Sequence, residues 1–384
     1  MMEILIQIFI VFICFSGLMY FLMASIFFYG WIKIPEFKIN KEEEILTSVS
    51  IVVAARNEEN NIIACLNDLA KQDYPLALFE IIIVDDNSED DTCEMCNDFI
   101  QKTGIHNLRL IKLADINKIS KKEAIKCGVE NATGQLIITT DADCSVGNKW
   151  VRSMVSFYEK KNFKLICGPV TYDKSKGLFQ QFQLLDFLSM IISGAGAIGA
   201  NSAFMGNAAN MAFEKKVYLD VNSKIYDAAF ASGDDVFLMH KVKGEYKKSI
   251  GFIKCKETTV IAKAKNTLKE LVLQRVRWAS KSKGYKDIHS LFFTLTVLVF
   301  NFSMVFALFA GILNTYYIHI YLLLLALKVI VDFPLIYSII SFNKRKDLLL
   351  HYWWIQLVYP FYIVVSATLS ALKKHYVWKG RILK

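Results

Sequence analysis

The chain has 384 residues, of which 54% are apolar and 21% charged, and its mean hydropathy is +0.33. That hydropathy is high for a soluble enzyme, yet 45 basic and 36 acidic residues are too many for a chain lying wholly in lipid. The net charge of +9 does not indicate nucleic acid, because membrane proteins gather Lys and Arg on their cytoplasmic faces. Five prolines and 18 glycines exclude a collagen-like or low-complexity chain. Eight cysteines are too sparse for a disulfide scaffold, so we expect reduced thiols.

Residues 4–28 form the first segment expected to cross the membrane, since they carry no charge and can span roughly 30 Å of hydrocarbon. Basic residues follow this segment and none precedes it, which places the main domain on the cytoplasmic side. Three further membrane segments are predicted at 291–313, 318–340 and 352–372. Residues 184–200 are also apolar, but the stretch is short and contains Asp186, so a buried or interfacial helix is expected there.

Two features of the last three segments leave alternatives open. Lys328 and Asp332 lie four residues apart, and they either neutralise each other inside the helix bundle or mark a functional polar site. Three full crossings would place a strongly basic tail outside. Either the rule that basic residues stay inside fails here, or the segment around Pro360 enters the membrane and turns back, and we expect the second.

The hydropathy pattern divides the chain into five parts. Residues 1–30 are an anchor, 45–265 an α/β domain, 266–287 an amphipathic interfacial helix, 288–372 the later membrane segments and 373–384 a basic cytoplasmic tail.

Three buried strands are predicted in the α/β domain, and each ends in polar residues. The first runs into Arg56 and Asn57, the second into Asp85 and Asp86, and the third into Asp141. Strands of this kind separated by helices form a mostly parallel α/β sheet, in which ligands bind at the carboxyl ends of the strands. The three loops should therefore converge on one site.

Asp141 and Asp143 stand at alternate positions just after the third strand. Two carboxylates so placed can hold Mg²⁺ or Mn²⁺ and leave coordination positions for a diphosphate, although two solvated turn aspartates would look the same. The same loop also resembles that of the haloacid-dehalogenase phosphatases, with Asp141 as a covalent nucleophile. That reading is disfavoured because it gives no role to the two earlier strand-end loops.

Two later motifs have both a chemical and a structural interpretation. In Ser232-Gly-Asp-Asp235, one aspartate can act as a general base or cap the following helix. In Gln274-Arg-Val-Arg-Trp278, the basic and aromatic side chains suit lipid headgroups, or else a diphosphate and a sugar. Cys93 and Cys96 are expected to be structural, because no second ligand pair stands nearby to complete a metal site.

Taken together and in order, the motifs VAARNEENNI, IIIVDDNSEDDT, IITTDADC, GDD and QRVRW resemble the family-2 glycosyltransferases with a GT-A fold. The resemblance covers residues 48–284 and is strongest to the membrane-embedded branch. That branch includes chitin, hyaluronan and cellulose synthases and ceramide glucosyltransferases.

The resemblance implies a role for individual residues. Those that would bind the donor nucleotide-sugar are Ala54, Arg56, Glu58, Asp85, Asp86, Lys121, Asp141 and Asp143. Among them, Asp85 or Asp86 would contact the base or ribose, and Asp141 and Asp143 would hold the metal. Lys121 follows Ser120 where the family usually has a glycine, and Asp235 would be the base beside Asp234, which replaces the usual glutamate. Those assigned to the acceptor or diphosphate are Asn207, Gln274, Arg277 and Trp278. The closing Trp378-Lys-Gly-Arg381 also occurs at the ends of related enzymes and favours a cytoplasmic tail.

The resemblance therefore predicts an inverting glycosyltransferase of a bacterial inner or plasma membrane, with a cytoplasmic catalytic domain and Mg²⁺ or Mn²⁺ as cofactor. The donor would be a UDP-sugar and the acceptor a membrane lipid, because four membrane segments are few for a polymer channel. A processive or short-chain polysaccharide synthase of the chitin or hyaluronan type is the alternative. Nucleic acid is not expected as a partner.

Overall fold

The computed structural model describes residues 2–40, 46–173, 176–224, 234–280, 284–285, 287–372, 376–379 and 381–383. The chain forms two compact units, each built from three separate stretches. We call the first the membrane unit (Met1–Lys33, Ser175–Phe204 and Lys265–Tyr376) and the second the sheet unit (Ile34–Lys174, Met205–Ala264 and Val377–Lys384). Residues 175–204 lie within the predicted 45–265 domain, but they pack with the membrane unit.

The helices and strands alternate through most of the sheet unit. The helices are α1 (Met2–Lys33), α2 (Ile62–Ala70), α3 (Thr92–Thr103), α4 (Lys121–Asn131), α5 (Trp150–Lys161), α6 (Leu178–Gly199), α7 (Lys215–Lys224), α8 (Asp234–Glu245), α9 (Leu268–Ser280), α10 (Ile288–Ala310), α11 (Tyr316–Phe342) and α12 (Leu349–Leu372). The strands are β1 (Val49–Ala55), β2 (Phe79–Asp85), β3 (Leu108–Lys112), β4 (Leu136–Asp141), β5 (Leu165–Cys167), β6 (Val170–Tyr172), β7 (Met211–Glu214), β8 (Ile250–Phe252), β9 (Val260–Ala262), β10 (Tyr376–Trp378) and β11 (Arg381–Leu383).

A seven-stranded sheet with the order β3-β2-β1-β4-β7-β5-β8 forms the centre of the sheet unit. Strands β3, β2, β1 and β4 are parallel, and β7 runs antiparallel between β4 and β5. The apolar residues of β1 and β2 other than Ala54 are buried, as expected of parallel strands covered by helices on both faces. The register sets Ala54 opposite Asp141 and Ala55 opposite Asp85, so the three predicted strand ends lie side by side. The predicted mostly parallel α/β sheet is therefore confirmed.

Five helices of the described chain, α1, α6, α10, α11 and α12, are long and apolar enough to cross a membrane. The sequence predicted four, and α6 is the additional one. It begins at Leu178 and is 22 residues long, so the prediction that this stretch is short was wrong. In α6, 72% of the apolar window is buried inside the protein, against 28–39% in the other four. This burial agrees with the expected buried helix.

Two glycines explain how α6 packs so closely within the membrane unit. A Cβ atom on Gly30 of α1 would lie 1.8 Å from the backbone oxygen of Gly196, and one on Gly196 would lie 2.2 Å from that of Phe27. The two backbones therefore touch directly, as small residues permit at helix interfaces. The part of α6 around Gly196 is therefore the surface on which α1 packs.

The later membrane segments bear on both questions that the sequence left open. Lys328 Nζ lies 2.5 Å from Asp332 Oδ2, and the Tyr20 hydroxyl donates to Asp332 Oδ1 at 2.9 Å. The pair is mutually neutralised within the bundle, as the structural interpretation predicted. The expectation that the chain turns back around Pro360 was wrong, because α12 continues through this residue to Leu372. Neighbouring groups can satisfy the carbonyl that a proline leaves free in an apolar helix.

Candidate active site

The loops that follow β1 and β2 are joined by hydrogen bonds between main chain and side chain. Asn57 N donates to Ser88 Oγ at 3.0 Å, and Glu58 N donates to Thr92 Oγ1 at 2.7 Å. Asn57 has a φ of 50°, a left-handed conformation that asparagine tolerates better than most residues. The polar residues that end the two strands therefore form one surface.

Arg56 holds these loops together rather than pointing into open space. Its side chain is only 2% exposed. The guanidinium donates to the backbone oxygens of Asp86 and Asn87 and pairs with Glu89 at 2.7 Å. It also donates to the backbone oxygen of Lys379, at 3.2 Å. Nearly all of its hydrogen-bonding capacity is used within the protein, so Arg56 stabilises the loops that would form the predicted donor pocket.

Asp85 and Asp86 have different partners, although both are buried. Asp85 accepts hydrogen bonds from the backbone N–H and hydroxyl of Ser88, at 3.1 and 2.5 Å, and so closes the turn after β2. Asp86 accepts from Ser120 N at 2.9 Å and from Arg381 at 2.8 Å on each carboxylate oxygen. Asp86 is thus the one that faces the loop before α4 and the C-terminal tail.

Glu58 is the third buried acid at this edge. Burial raises the pKa of its carboxyl above the usual value, while the charge and hydrogen bond of Lys379 oppose that rise. Asn61 Nδ2 also donates to Glu58, at 2.6 Å. A buried carboxylate with a raised pKa is stabilised in its charged form only as long as these partners stay in place.

Asp141, Asp143 and Cys144 form the group of side chains best suited to hold a metal among the described residues. Their ligand atoms lie within 4.8 Å of one another. Burial, followed by the charges of Asp141 and Asp143, raises the pKa of the Cys144 thiol well above its usual value. The two carboxylates are the ligands that suit Mg²⁺ or Mn²⁺, because these ions prefer hard oxygen ligands.

Lys121 lies beside this pair at the start of α4. Its Nζ is 2.5 Å from Asp141 Oδ1, with both side chains about one third exposed or less. Ser120, which stands where related enzymes have glycine, has a φ of 125°, a conformation that favours glycine. The backbone thus keeps the geometry that glycine would adopt, and the Ser120 hydroxyl caps α4 by accepting from Glu123 N at 3.2 Å.

Asp235 is linked to the strand of the paired aspartates through a single residue, Ala208. Ala208 N donates to Asp235 Oδ2 at 3.4 Å, and Thr139 Oγ1 of β4 donates to the Ala208 oxygen at 2.8 Å. Asp235 also accepts from Val236 N at 2.8 Å, so it contributes to the start of α8. Ser232, Gly233 and the side chain of Asp234 lie outside the described residues.

The loop that contains Ala208 is itself firmly held. Asn207 caps it by accepting from Ala209 N at 3.0 Å. Asn210 is fully buried, donates to the oxygens of Pro169 and Thr258 at 2.7 Å each, and accepts from Trp150 Nε1 at 3.0 Å. Asn210 is therefore structural, while Asn207 shapes the loop beside Asp235.

Gln274, Arg277 and Trp278 belong to α9 in the membrane unit. The residue that organises this helix is one that the sequence did not assign. Arg275 is buried, pairs with Asp186 of α6 at 2.5 Å and lies 4.2 Å from the centre of the Trp278 ring. Tyr362 of α12 shares the pair through a hydrogen bond of 2.8 Å to Arg275. The single charge in the apolar stretch 184–200 was the sequence signal for this contact.

Cys93 and Cys96 lie on α3, and all eight cysteines are free. Burial raises the pKa of each of the two thiols to about 12, with the charge of Asp85 adding to the effect at Cys93. Thiols with such pKa values are poor metal ligands and nucleophiles at neutral pH. A structural role for the two cysteines stays a prediction from the sequence.

Two family models match the chain. One described as "Glycosyl transferase family 2" matches residues 50–218, and one described as "Glycosyl transferase family group 2" matches residues 136–366, more than half of the chain.

Curated relatives and a solved structure extend this likeness. The chain is 23% identical over 294 residues to the dolichyl N-acetyl-alpha-D-glucosaminyl phosphate 3-beta-D-2,3-diacetamido-2,3-dideoxy-beta-D-glucuronosyltransferase of Methanococcus voltae, covering 73% of this chain and 86% of that protein. It is 24% identical over 336 residues to a poly-beta-1,6-N-acetyl-D-glucosamine synthase of Staphylococcus epidermidis, covering 84% and 76%. Other relatives, 29–30% identical, match over only 42–44% of their own length.

The solved structure is a mannosyltransferase from Pyrobaculum calidifontis in complex with GDP-Man and Mn²⁺. It has a TM-score of 0.59 and 14% identity, and the match covers 97% of this chain and all of that one, which shows a common fold. The family match over residues 136–366 agrees with this common fold and with a parallel sheet whose strand ends carry the motif acids. The chain therefore belongs to the family-2 glycosyltransferases and is an enzyme with a GT-A fold.

Proposed function

We propose that the chain transfers a sugar with inversion from a nucleotide-sugar, expected to be a UDP-sugar, to a lipid acceptor at a membrane. One observation carries the proposal, namely the bonding of Ala208 to both Asp235 and the strand that ends in Asp141. Because of this link, a candidate base and a candidate metal and diphosphate site share one edge of the sheet. An in-line transfer needs these two functions close together.

The residues present fit a divalent metal. Asp141 and Asp143 offer two carboxylates whose oxygens lie within 4.8 Å of each other, and hard oxygen ligands suit such an ion. A bound Mg²⁺ or Mn²⁺ would stabilise the negative charge that develops on the departing diphosphate. Lys121, at 2.5 Å from Asp141, is positioned to share that task and to keep the two acids from repelling the donor.

Asp235 is our candidate for the general base. Its carboxylate would accept the proton of the acceptor hydroxyl as the oxygen attacks the anomeric carbon of the sugar. The N–H groups of Ala208 and Val236 orient this carboxylate, so its direction is set before any acceptor arrives. The acceptor or diphosphate roles of Asn207, Gln274, Arg277 and Trp278 stay predictions from the sequence.

The membrane lipid is proposed as acceptor because of the size of the membrane unit. Within the described residues five helices are long enough to cross a membrane, and α6 is largely buried, which leaves little room for a polymer-conducting channel. The name of the Methanococcus voltae relative describes transfer to a dolichyl-linked sugar, which supports a lipid-linked acceptor. The likeness to the Staphylococcus epidermidis synthase supports the second candidate, a chain-extending polysaccharide synthase.

A labelled-donor assay tests the proposal and separates the two candidates. Purified protein in lipid nanodiscs would receive UDP-glucose, UDP-N-acetylglucosamine, UDP-galactose or GDP-mannose, Mn²⁺ and a membrane lipid extract. We expect label in one discrete species that partitions into organic solvent. A size-dispersed aqueous product would establish a synthase instead, and the absence of transfer from every donor would contradict the proposed function.

A further inference from the structure

The C-terminal strands β10 and β11 form a two-stranded sheet joined by Lys379 and Gly380. We call residues 376–383 the C-terminal hairpin. Lys379 has a φ of 44°, the left-handed conformation found in two-residue hairpin turns and costly for a lysine. The neighbouring structure must stabilise this turn, and the contacts of Lys379 and Arg381 show how.

Arg381 forms the strongest contact of the C-terminal hairpin with the rest of the sheet unit. Its guanidinium binds both carboxylate oxygens of Asp86 at 2.8 Å and donates to the Asp86 backbone oxygen at 2.9 Å. Bidentate pairs of this kind are among the strongest hydrogen-bonded contacts in proteins. The Asp86 side chain is 1% exposed, so it has little contact with water to replace this pair.

Lys379 makes a second set of contacts one strand away. Its Nζ pairs with the buried carboxylate of Glu58 and donates to the Arg56 backbone oxygen at 2.7 Å, while its own backbone oxygen accepts from Arg56. The C-terminal hairpin is thus bonded to residues at the ends of both β1 and β2. It contacts three of the residues that the motifs assign to the donor pocket.

The charges explain why these contacts matter for an anionic ligand. The predicted donor pocket contains five acids, and Lys121 is the cation among its motif residues whose side chain is partly exposed. The acids are Glu58, Asp85, Asp86, Asp141 and Asp143. Such a pocket would repel a nucleoside diphosphate unless some of the carboxylates were neutralised. The C-terminal hairpin supplies one cation to Asp86, which follows β2, and one to Glu58, which follows β1.

Resting on the function proposed above, we propose that the C-terminal hairpin is a working part of the donor site. Arg381 positions Asp86, and Lys379 neutralises Glu58, so that the base and ribose end of a nucleoside diphosphate can be accommodated. Because β2 and β4 flank β1, Asp86 lies about two strand spacings, roughly 10 Å, from Asp141. Arg381 therefore acts at the nucleoside end of the donor, away from the metal and the diphosphate.

The test measures nucleotide affinity by calorimetry on the full chain in nanodiscs, with UMP, UDP, GMP and GDP, with and without Mn²⁺. Arg381→Ala should lower the affinity for the nucleotide that the wild-type chain binds by at least about tenfold. The loss should be the same for the mono- and the diphosphate. The factor should not depend on Mn²⁺. Arg381→Lys keeps the charge but loses the bidentate geometry, so its nucleotide affinity should lie between those of the wild-type chain and Arg381→Ala.

Lys161→Ala is the matched control, since it removes one exposed cation at the end of α5 in the same unit and should leave affinity unchanged. Thermal unfolding without ligand shows which variants are folded, and Lys379→Ala serves as the second variant if Arg381→Ala is not.

Unchanged affinity in a folded variant would overturn the inference and leave the proposed function standing. Tighter binding would make the hairpin inhibitory, and weakening confined to the diphosphate in Mn²⁺ would place its effect at the wrong end, so either result also overturns it. A wild-type chain that binds no nucleotide would refute the proposed function and the inference together.

Discussion

Breaking the buried ion pair between Asp186 and Arg275 should destabilise the membrane unit strongly. The side chains are 2% and 7% exposed, and Arg275 Nη2 lies 2.5 Å from Asp186 Oδ2. Asp186→Asn removes the carboxylate charge that neutralises the buried guanidinium, and breaking a buried ion pair in this way costs about 3–5 kcal/mol. At about 2–4 °C per kcal/mol, the unfolding midpoint should fall by roughly 6–20 °C. The measurement is thermal unfolding of purified protein in detergent.

A double variant provides the control. Replacing both partners by apolar residues, Asp186→Leu with Arg275→Met, removes the stranded charge and should recover most of the lost stability. A double variant as unstable as the sum of the two single variants would show that the pair does not act as a unit. A shift of less than about 1 °C for Asp186→Asn would refute the reasoning, because a buried unpaired charge should lower the free energy of unfolding by much more than that.

Three further changes test the site itself. Asp235→Asn should lower transfer by roughly 10²- to 10⁴-fold while nucleotide affinity survives, and loss of both together would point to a structural role. Asp143→Ala should remove the part of UDP affinity that depends on Mn²⁺, so unchanged affinity in Mn²⁺ would rule out the metal assignment. With pKa values of about 12, Cys93 and Cys96 are thiolate in only about one molecule in 10⁴ at pH 8. They should resist iodoacetamide in the native protein and react in denaturant, and rapid native modification would contradict the raised pKa values.

The parts of the fold that follow from local sequence were predictable. Strands β1, β2 and β4 appear as apolar runs ending in acids, and the rule that ligands bind at the carboxyl ends of parallel strands places those acids together. The proximity of Asp141 and Asp143 could be predicted from their spacing alone, because two residues of one turn must lie close together.

Contacts between distant parts of the chain could not be predicted in this way. Arg381 reaches Asp86 from 295 positions away, and no periodicity carries that pairing. The resemblance assigned Arg56 to the donor site, yet in the structure its hydrogen bonds hold the loops after β1 and β2 together. Pro360 was expected to break its segment, but a proline interrupts one backbone hydrogen bond and leaves the packing of a long apolar helix intact.

The pairing of Arg381 with Asp86 also constrains how the chain crosses the membrane. Ala264 and Val377 both belong to the sheet unit, so the stretch between them must cross an even number of times if that unit lies on one side. Helices α10, α11 and α12 cannot then all cross, and α12, with its paired tryptophans and Gln356, is the one suited to an interface. Alkaline phosphatase fused after Ala264 and after the C-terminus should therefore report the same side, and a fusion after Asn314 the opposite side. A C-terminal fusion that behaves like the one after Asn314 would mean that α12 crosses and that Arg381 does not reach Asp86 in the membrane-bound protein.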